Sequence, residues 1–229
     1  MAKKGNVRHI KSMNAPDYYG IPKKENKYVI KPAAGRHNAS TSIALLLGVK
    51  KIGNAKTSRE ALKIIKGGLI AVNGNVVRDV KYPIGFGDVI GTADGKLARY
   101  VSINKQGQII FENTEGKDYQ LRYKIINKYK SSKGAVMIRL HDGRVLKLES
   151  ANDAKVGDSV ELSKEGKIKR VLHVEKGVQC FVIDGVHVGE TGKVSAITSG
   201  TMHISASAQI EQEDGTKFET LLKNLIVIG

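Results

Sequence analysis

The chain has 229 residues, 41% of them hydrophobic, which is enough for one large core or two to three small ones. Its 38 Lys+Arg against 22 Asp+Glu give a net charge of +16, a balance that speaks of a polyanionic partner rather than of a fold. A single cysteine, Cys180, excludes an intrachain disulfide framework and a multi-cysteine zinc site.

The charge is unevenly placed. Residues 1–36 hold nine Lys/Arg and two acids (+7), residues 37–100 ten and four (+6), residues 101–170 fifteen and nine (+6), and residues 171–229 four and seven (−3). An excess in the first three quarters is the distribution of a polyanion-binding protein. The N-terminal MAKKGNVRHIK leads into no apolar segment, and the longest clean apolar run, Ile43 to Leu47, is far short of a membrane span. The expectation is a cytosolic protein with no membrane partner.

Residues 1–36 read as an extended basic arm, broken by Pro16, Pro22 and Pro32 and without a sustained period. Tyr18, Tyr19 and Tyr28 alternate with lysines, so the arm could stack on bases and pair with phosphates, ordering on binding. Arg8, Lys11, Lys23, Lys24, Arg36 and His37 are its candidate contact residues. Ser40 to Lys51 predicts a short helix, capped by Ser40 or Thr41 and ending in Lys50 and Lys51.

The stretch from Thr57 to Ile90 predicts a helix, a stop, a hairpin and a strand. Thr57 and Glu60 have capping-box spacing, and Gly67-Gly68 ends the helix. Ala61, Leu62, Ile64 and Ile65 form its apolar stripe, and Arg59, Lys63 and Lys66 recur at i, i+4 and i+7 on the other side. Lys56 stands at the mouth of the helix, so the docking face comprises Lys50, Lys51, Lys56, Arg59, Lys63 and Lys66. Asn73-Gly74-Asn75 is a hairpin signal between two β-prone runs, and Asn73 and Asn75 would offer hydrogen bonds at its tip. Gly87-Asp88 then turns the chain into Val89-Ile90.

Beyond Tyr100 short apolar runs recur at 108–112, 119–123, 135–140, 144–148, 159–162 and 168–174, which suggests a small antiparallel barrel or sandwich. Further strands are predicted at 180–183, 193–197, 201–207, 218–222 and 225–228. Between them lies the loop Gly185-Val186-His187-Val188-Gly189-Glu190-Thr191-Gly192-Lys193-Val194, whose glycines would allow close approach to another surface. Lys193 is its candidate RNA contact. Gly192-Lys193 is not a phosphate-binding loop, because His187 replaces the first glycine and Val194 the Ser/Thr. No nucleophile elbow, histidine pair with metal spacing or acid–base carboxylate pair stands out, so no catalytic residue, metal or cofactor is expected.

Thr57, Ala61, Leu62, Ile65, Gly68, Val72-Asn73-Gly74, Val76 and Gly87-Asp88-Val89-Ile90 resemble the RNA-binding module shared by "S-four" ribosomal proteins, pseudouridine synthases and some tRNA synthetases. The order of Ala15-Pro16, Lys31 to His37, Arg78 to Val89, His141-Asp142-Gly143-Arg144 and a loop like the KOW motif is similar to the archaeal and eukaryotic small-subunit ribosomal protein family "S-four-e", over essentially the whole chain. Arg36, Tyr19 and Gly87 depart from that pattern, which has proline, tryptophan and methionine there.

The resemblance implies an α+β, mostly β protein in four parts. These are a basic arm (1–36), an αβ RNA-binding module (37–100), a central antiparallel β domain (101–173) and a C-terminal SH3-like KOW barrel (174–229). It implies a non-enzymatic constituent of the small ribosomal subunit, partnered by small-subunit ribosomal RNA and neighbouring ribosomal proteins, with no small-molecule substrate. An RNA-modifying enzyme and a free RNA-binding or transcription-associated factor are the alternatives that use the same module.

Overall fold

A computed structural model describes residues 10–95, 97–114, 121–132, 134–148, 154–163, 166–201 and 204–229. The chain divides into two compact units, residues 1–101 with 108–117, and residues 102–107 with 118–229. The fold class is α+β and mostly β, as the sequence implies.

In the first unit the described part of the arm is folded. Ile10–Lys11 pairs with Tyr28–Val29, and Ala15 and Tyr19 are buried in the unit's core, with Tyr18, Ile21 and Ile30 packed against it. The Tyr18 hydroxyl donates to the Ala39 carbonyl at 2.5 Å, and the Tyr18 and Tyr19 rings meet edge to face at 5.0 Å. Tyr19 is thus a core residue and Tyr18 is half-buried against it. Burying one large ring and half of another offsets the ordering cost of a segment with no regular period.

The helix predicted from Ser40 begins later. Ser42–Ala44 is a strand paired with Pro83–Gly85, and α1 runs only from Leu45 to Ile52, with no side-chain cap at Ala44. The run of apolar residues satisfies a buried strand and a buried helix turn equally well, and pairing with Ile84 decides for the strand. Helix α2, Ser58–Lys66, follows the sequence signals. Thr57 Oγ1 accepts from the Glu60 N–H, Glu60 reaches back to the Thr57 N–H, and Ala61 and Ile65 are fully buried. Leu62 departs from the predicted stripe, being 36% exposed.

Around these helices, Asn75–Val76, Ile70–Val72, Val89–Thr92, Ala98–Ile103 and Ile109–Asn113 form a sheet in that spatial order. The hairpin turn is Asn73-Gly74, both with positive φ (51° and 84°), while Asn75 already pairs with Val72 in the strand.

The second unit holds two antiparallel sheets. One has the order Val145–Leu148, Val136–Leu140, Leu121–Lys130, Ser159–Leu162, Ile168–Leu172. The predicted start of its long strand at Tyr119 lies outside the described residues. The other has the order Lys217–Leu221, Ser207–Glu211, Thr191–Thr198, Gln179–Val182, Leu225–Val227, around a core of Cys180, Val182, Val194, Ala208, Ile210 and Leu225. Its strand Ser207–Glu211 lies downstream of the predicted 201–207, because the alternation of Ala208 and Ile210 into the core sets the register.

The two sheets share interior polar contacts. Lys124, buried in the long strand, donates from Nζ to the carbonyls of Leu222 and Leu225, the latter at 2.6 Å, and the Val227 N–H donates to Ser159 Oγ at 2.8 Å. Burial brings the Lys124 ammonium down to about 8. The glycine loop also turns inward. A side chain at Gly189 would stand 2.5 Å from the Asn104 carbonyl carbon, so this glycine's close approach is to the chain's own turn.

Candidate nucleic-acid interface

The first unit buries a carboxylate. Asp88 is inside the module, where Oδ2 faces His37 Nε2 at 2.8 Å and accepts from the Gly85 N–H at 3.2 Å. Its Oδ1 accepts from Asn73 Nδ2 at 2.6 Å, and Asn73 Oδ1 accepts from the Val89 N–H at 2.8 Å. Burial alone would push the Asp88 carboxyl up. The facing His37 ring, the Arg36 charge and the Asn73 hydrogen bond outweigh it, so the acid is held below its ordinary value. Gly85 is required beside it, since a Cβ there would lie 2.5 Å from His37 Nδ1. The cluster ties the end of the arm, the turn before Val89 and the hairpin to one another.

His37 and Asn73, expected as contact residues, instead have buried side chains bound to Asp88. The exposed tip of the hairpin is Gly74-Asn75-Val76. Lys51 is also drawn inward. It is half-buried, donates to the Ile109 carbonyl at 3.3 Å, and burial holds its ammonium below the ordinary lysine value.

The remaining helix cations face outward. Lys56, Arg59, Lys63 and Lys66 are exposed and Lys50 is half-buried. The carboxylate among them, Glu60, is turned into the cap, with Oε2 accepting from the Lys56 and Thr57 N–H groups. Like charges four apart on a helix cost stability, so an Arg59–Lys63–Lys66 row suits an external anion. Arg78, which the sequence reading passed over, lies beside it. Its Nε comes 3.2 Å from where a Cβ on Gly68 would stand, at the end of α2. The signal was present, since a hairpin returns its second strand alongside its first and carries Arg78 back to the helix stop.

On the arm, Lys11 and Lys24 are exposed, Lys23 is exposed but paired with Asp17 at 2.5 Å, and Arg36 is half-buried beside Asp88. Arg8 lies outside the described residues. Lys193 is exposed on its strand but sits opposite Glu211 in register, and Glu211 also meets Lys217 at 3.7 Å. Among the described residues, no cluster of three or more metal-ligating side chains forms, and no helix is long and apolar enough to cross a membrane.

A capped helix with an outward cation row, set beside a hairpin and fixed by an interior carboxylate, is the geometry of a small RNA-binding module. The S4 domain family matches residues 45–90, and the RS4NT (NUC023) domain matches residues 4–40. The chain is 35% identical to small ribosomal subunit protein eS4 of Methanocaldococcus jannaschii over 238 residues, covering 100% of this chain and 97% of that protein. It is 34% identical to eS4 of Methanococcus vannielii over 239 residues, with the same coverage of 100% and 97%. The crystal structure of the 30S ribosomal protein S4e from Thermoplasma acidophilum is similar at a TM-score of 0.70 and 26% identity, covering 82% of this chain and 95% of that one. The chain belongs to the eS4 family of small ribosomal subunit proteins. Membership makes it a cytoplasmic ribosomal protein and not an enzyme.

Proposed function

We propose that the protein binds and orders small-subunit ribosomal RNA, with the arm and the αβ module as its grip and neighbouring ribosomal proteins as its other partners. The observation that carries this is the Arg59–Lys63–Lys66 row, maintained on a capped helix against mutual repulsion. Lys56 and Arg78 extend that row, and Lys11, Lys23, Lys24 and Arg36 continue it along the arm. Affinity comes mainly from counterion release. The surface suits RNA better than DNA, since α2 spans nine residues and carries no long recognition helix for a major groove. In this reading the parts divide near residues 36, 100 and 173, and the C-terminal sheet, with Lys193 facing Glu211, contributes locally.

Sedimentation tests the proposal. A structural constituent co-migrates with small subunits through a sucrose gradient after a high-salt wash. A chain released to the top of the gradient by that wash would be a free RNA-binding factor, and the proposal would fail.

A further inference from the structure

The strands 127–130, 136–140 and 145–148 carry Lys128, Lys130, Arg139 and Lys147 and no carboxylate. Their register sorts these side chains. Asn127 stands opposite Arg139, and Arg139 opposite Val145; Tyr129 stands opposite Met137, and Met137 opposite Lys147. Ile138 and Leu148 point the other way and are buried. Lys128 and Lys130 stand on that side, with Ile138 and Leu148, and the other face presents a grid of two rows, Asn127–Arg139–Val145 and Tyr129–Met137–Lys147.

That outer face is open to solvent. Tyr129 is 43% exposed and Val145 42%, and Asn127, Arg139 and Lys147 are exposed. A bulge between Ile125 and Asn127 breaks the alternation and turns Ile126 out at 53% exposure. Exposed apolar side chains among cations, without a carboxylate on the three strands, suit a partner with flat apolar faces and negative charge. Unpaired RNA has both. A sheet that stacks bases on aromatic side chains, with cations along the backbone path, is a recurrent way of holding it. Tyr129 offers such a ring on a rigid strand, and Arg139 and Lys147 stand on neighbouring strands, which lie about 4.8 Å apart.

We propose that this sheet face is a second RNA-contact surface, which takes an unpaired nucleotide of the ribosomal RNA on the Tyr129 ring and its flanking phosphates at Arg139 and Lys147. It rests on the reading of the chain as a ribosomal RNA-binding protein. The cations of this face are gathered from separate strands by pairing, so no single stretch of sequence displays it.

The test uses the full chain and protein-free small-subunit ribosomal RNA, with binding measured as a function of KCl. Tyr129→Ala weakens binding roughly 5- to 150-fold, and Tyr129→Phe binds as the parent does. Arg139→Gln with Lys147→Gln lowers the slope of log affinity against log salt by about 1.4 to 1.8. If those variants bind as the parent does while Arg59→Gln with Lys63→Gln weakens binding, this inference is overturned and the wider reading stands. If the helix variant is also without effect, the wider reading fails. A photoreactive residue at position 129, in protein whose thermal unfolding is unchanged, gives the independent check in assembled subunits. A cross-link to ribosomal RNA supports the face, and one to a protein alone overturns it.

Discussion

The two units both bury charged groups but differ in how they set out their surface cations. In the first, the interior holds a carboxylate, Asp88, and the cations stand outside on α2. In the second, the interior holds a lysine, Lys124, as well as the carboxylates Asp142, Asp158 and Glu161, and a surface cation such as Lys193 stands opposite an acid in register. In both, a buried charged group is satisfied by named partners and holds separate segments together: arm, turn and hairpin in one, the two sheets in the other. The difference lies outside. A helix keeps like charges on one line within a single element, whereas a sheet sets each charge against whatever the neighbouring strand supplies. Net charge by segment hides this, since residues 101–170 carry as large an excess as the module.

Asp88→Ala strands the His37 ring, the Asn73 amide and the Gly85 N–H in the interior, and costs about 3–5 kcal/mol in urea unfolding. Because the folded-state value of Asp88 is depressed, its contribution is complete above the ordinary carboxylate value of about 4 and is lost as pH falls through the lower folded value. The gap between parent and variant therefore narrows in acid. A gap that widened in acid would contradict the assignment of the cluster.

For Lys124, in the second unit, the sign is reversed. Below about 8 Lys124 is protonated in both states and its burial cost is fully present. Between about 8 and 10.5 the unfolded chain holds the proton and the folded chain does not, so stability rises with pH. The Leu222 and Leu225 carbonyls accept from the ammonium, while His141 Nδ1 accepts from the backbone N–H of the same residue. Relative to Lys124→Met, the parent gains on the order of 3 kcal/mol across that window in urea unfolding. Parallel pH profiles for the two chains would show that Lys124 is not desolvated as the structure has it.

The sequence displayed what one element contains and concealed what distant elements build. The α2 cap, its cation row, the Asn73-Gly74 turn and most strands in the second unit are local patterns, and each appears within a few residues of its predicted place. His37 and Asn73 look solvent-facing because they are polar and sit beside loops. Only Asp88, 51 residues from His37, draws them inside. Tyr18 and Tyr19 looked free because their segment has no period, yet burial needs only turns that point them at the core. The Tyr129 face depends on the register of three strands and the bulge at Ile126, which pairing alone specifies.

If the α2 row is the principal grip on ribosomal RNA, a salt titration reveals it. With the full chain and protein-free small-subunit ribosomal RNA, Arg59→Gln with Lys63→Gln lowers the slope of log affinity against log salt by about 1.4 to 1.8 and weakens binding at every salt concentration. An unchanged slope and unchanged affinity in a variant that folds as the parent does would contradict the account.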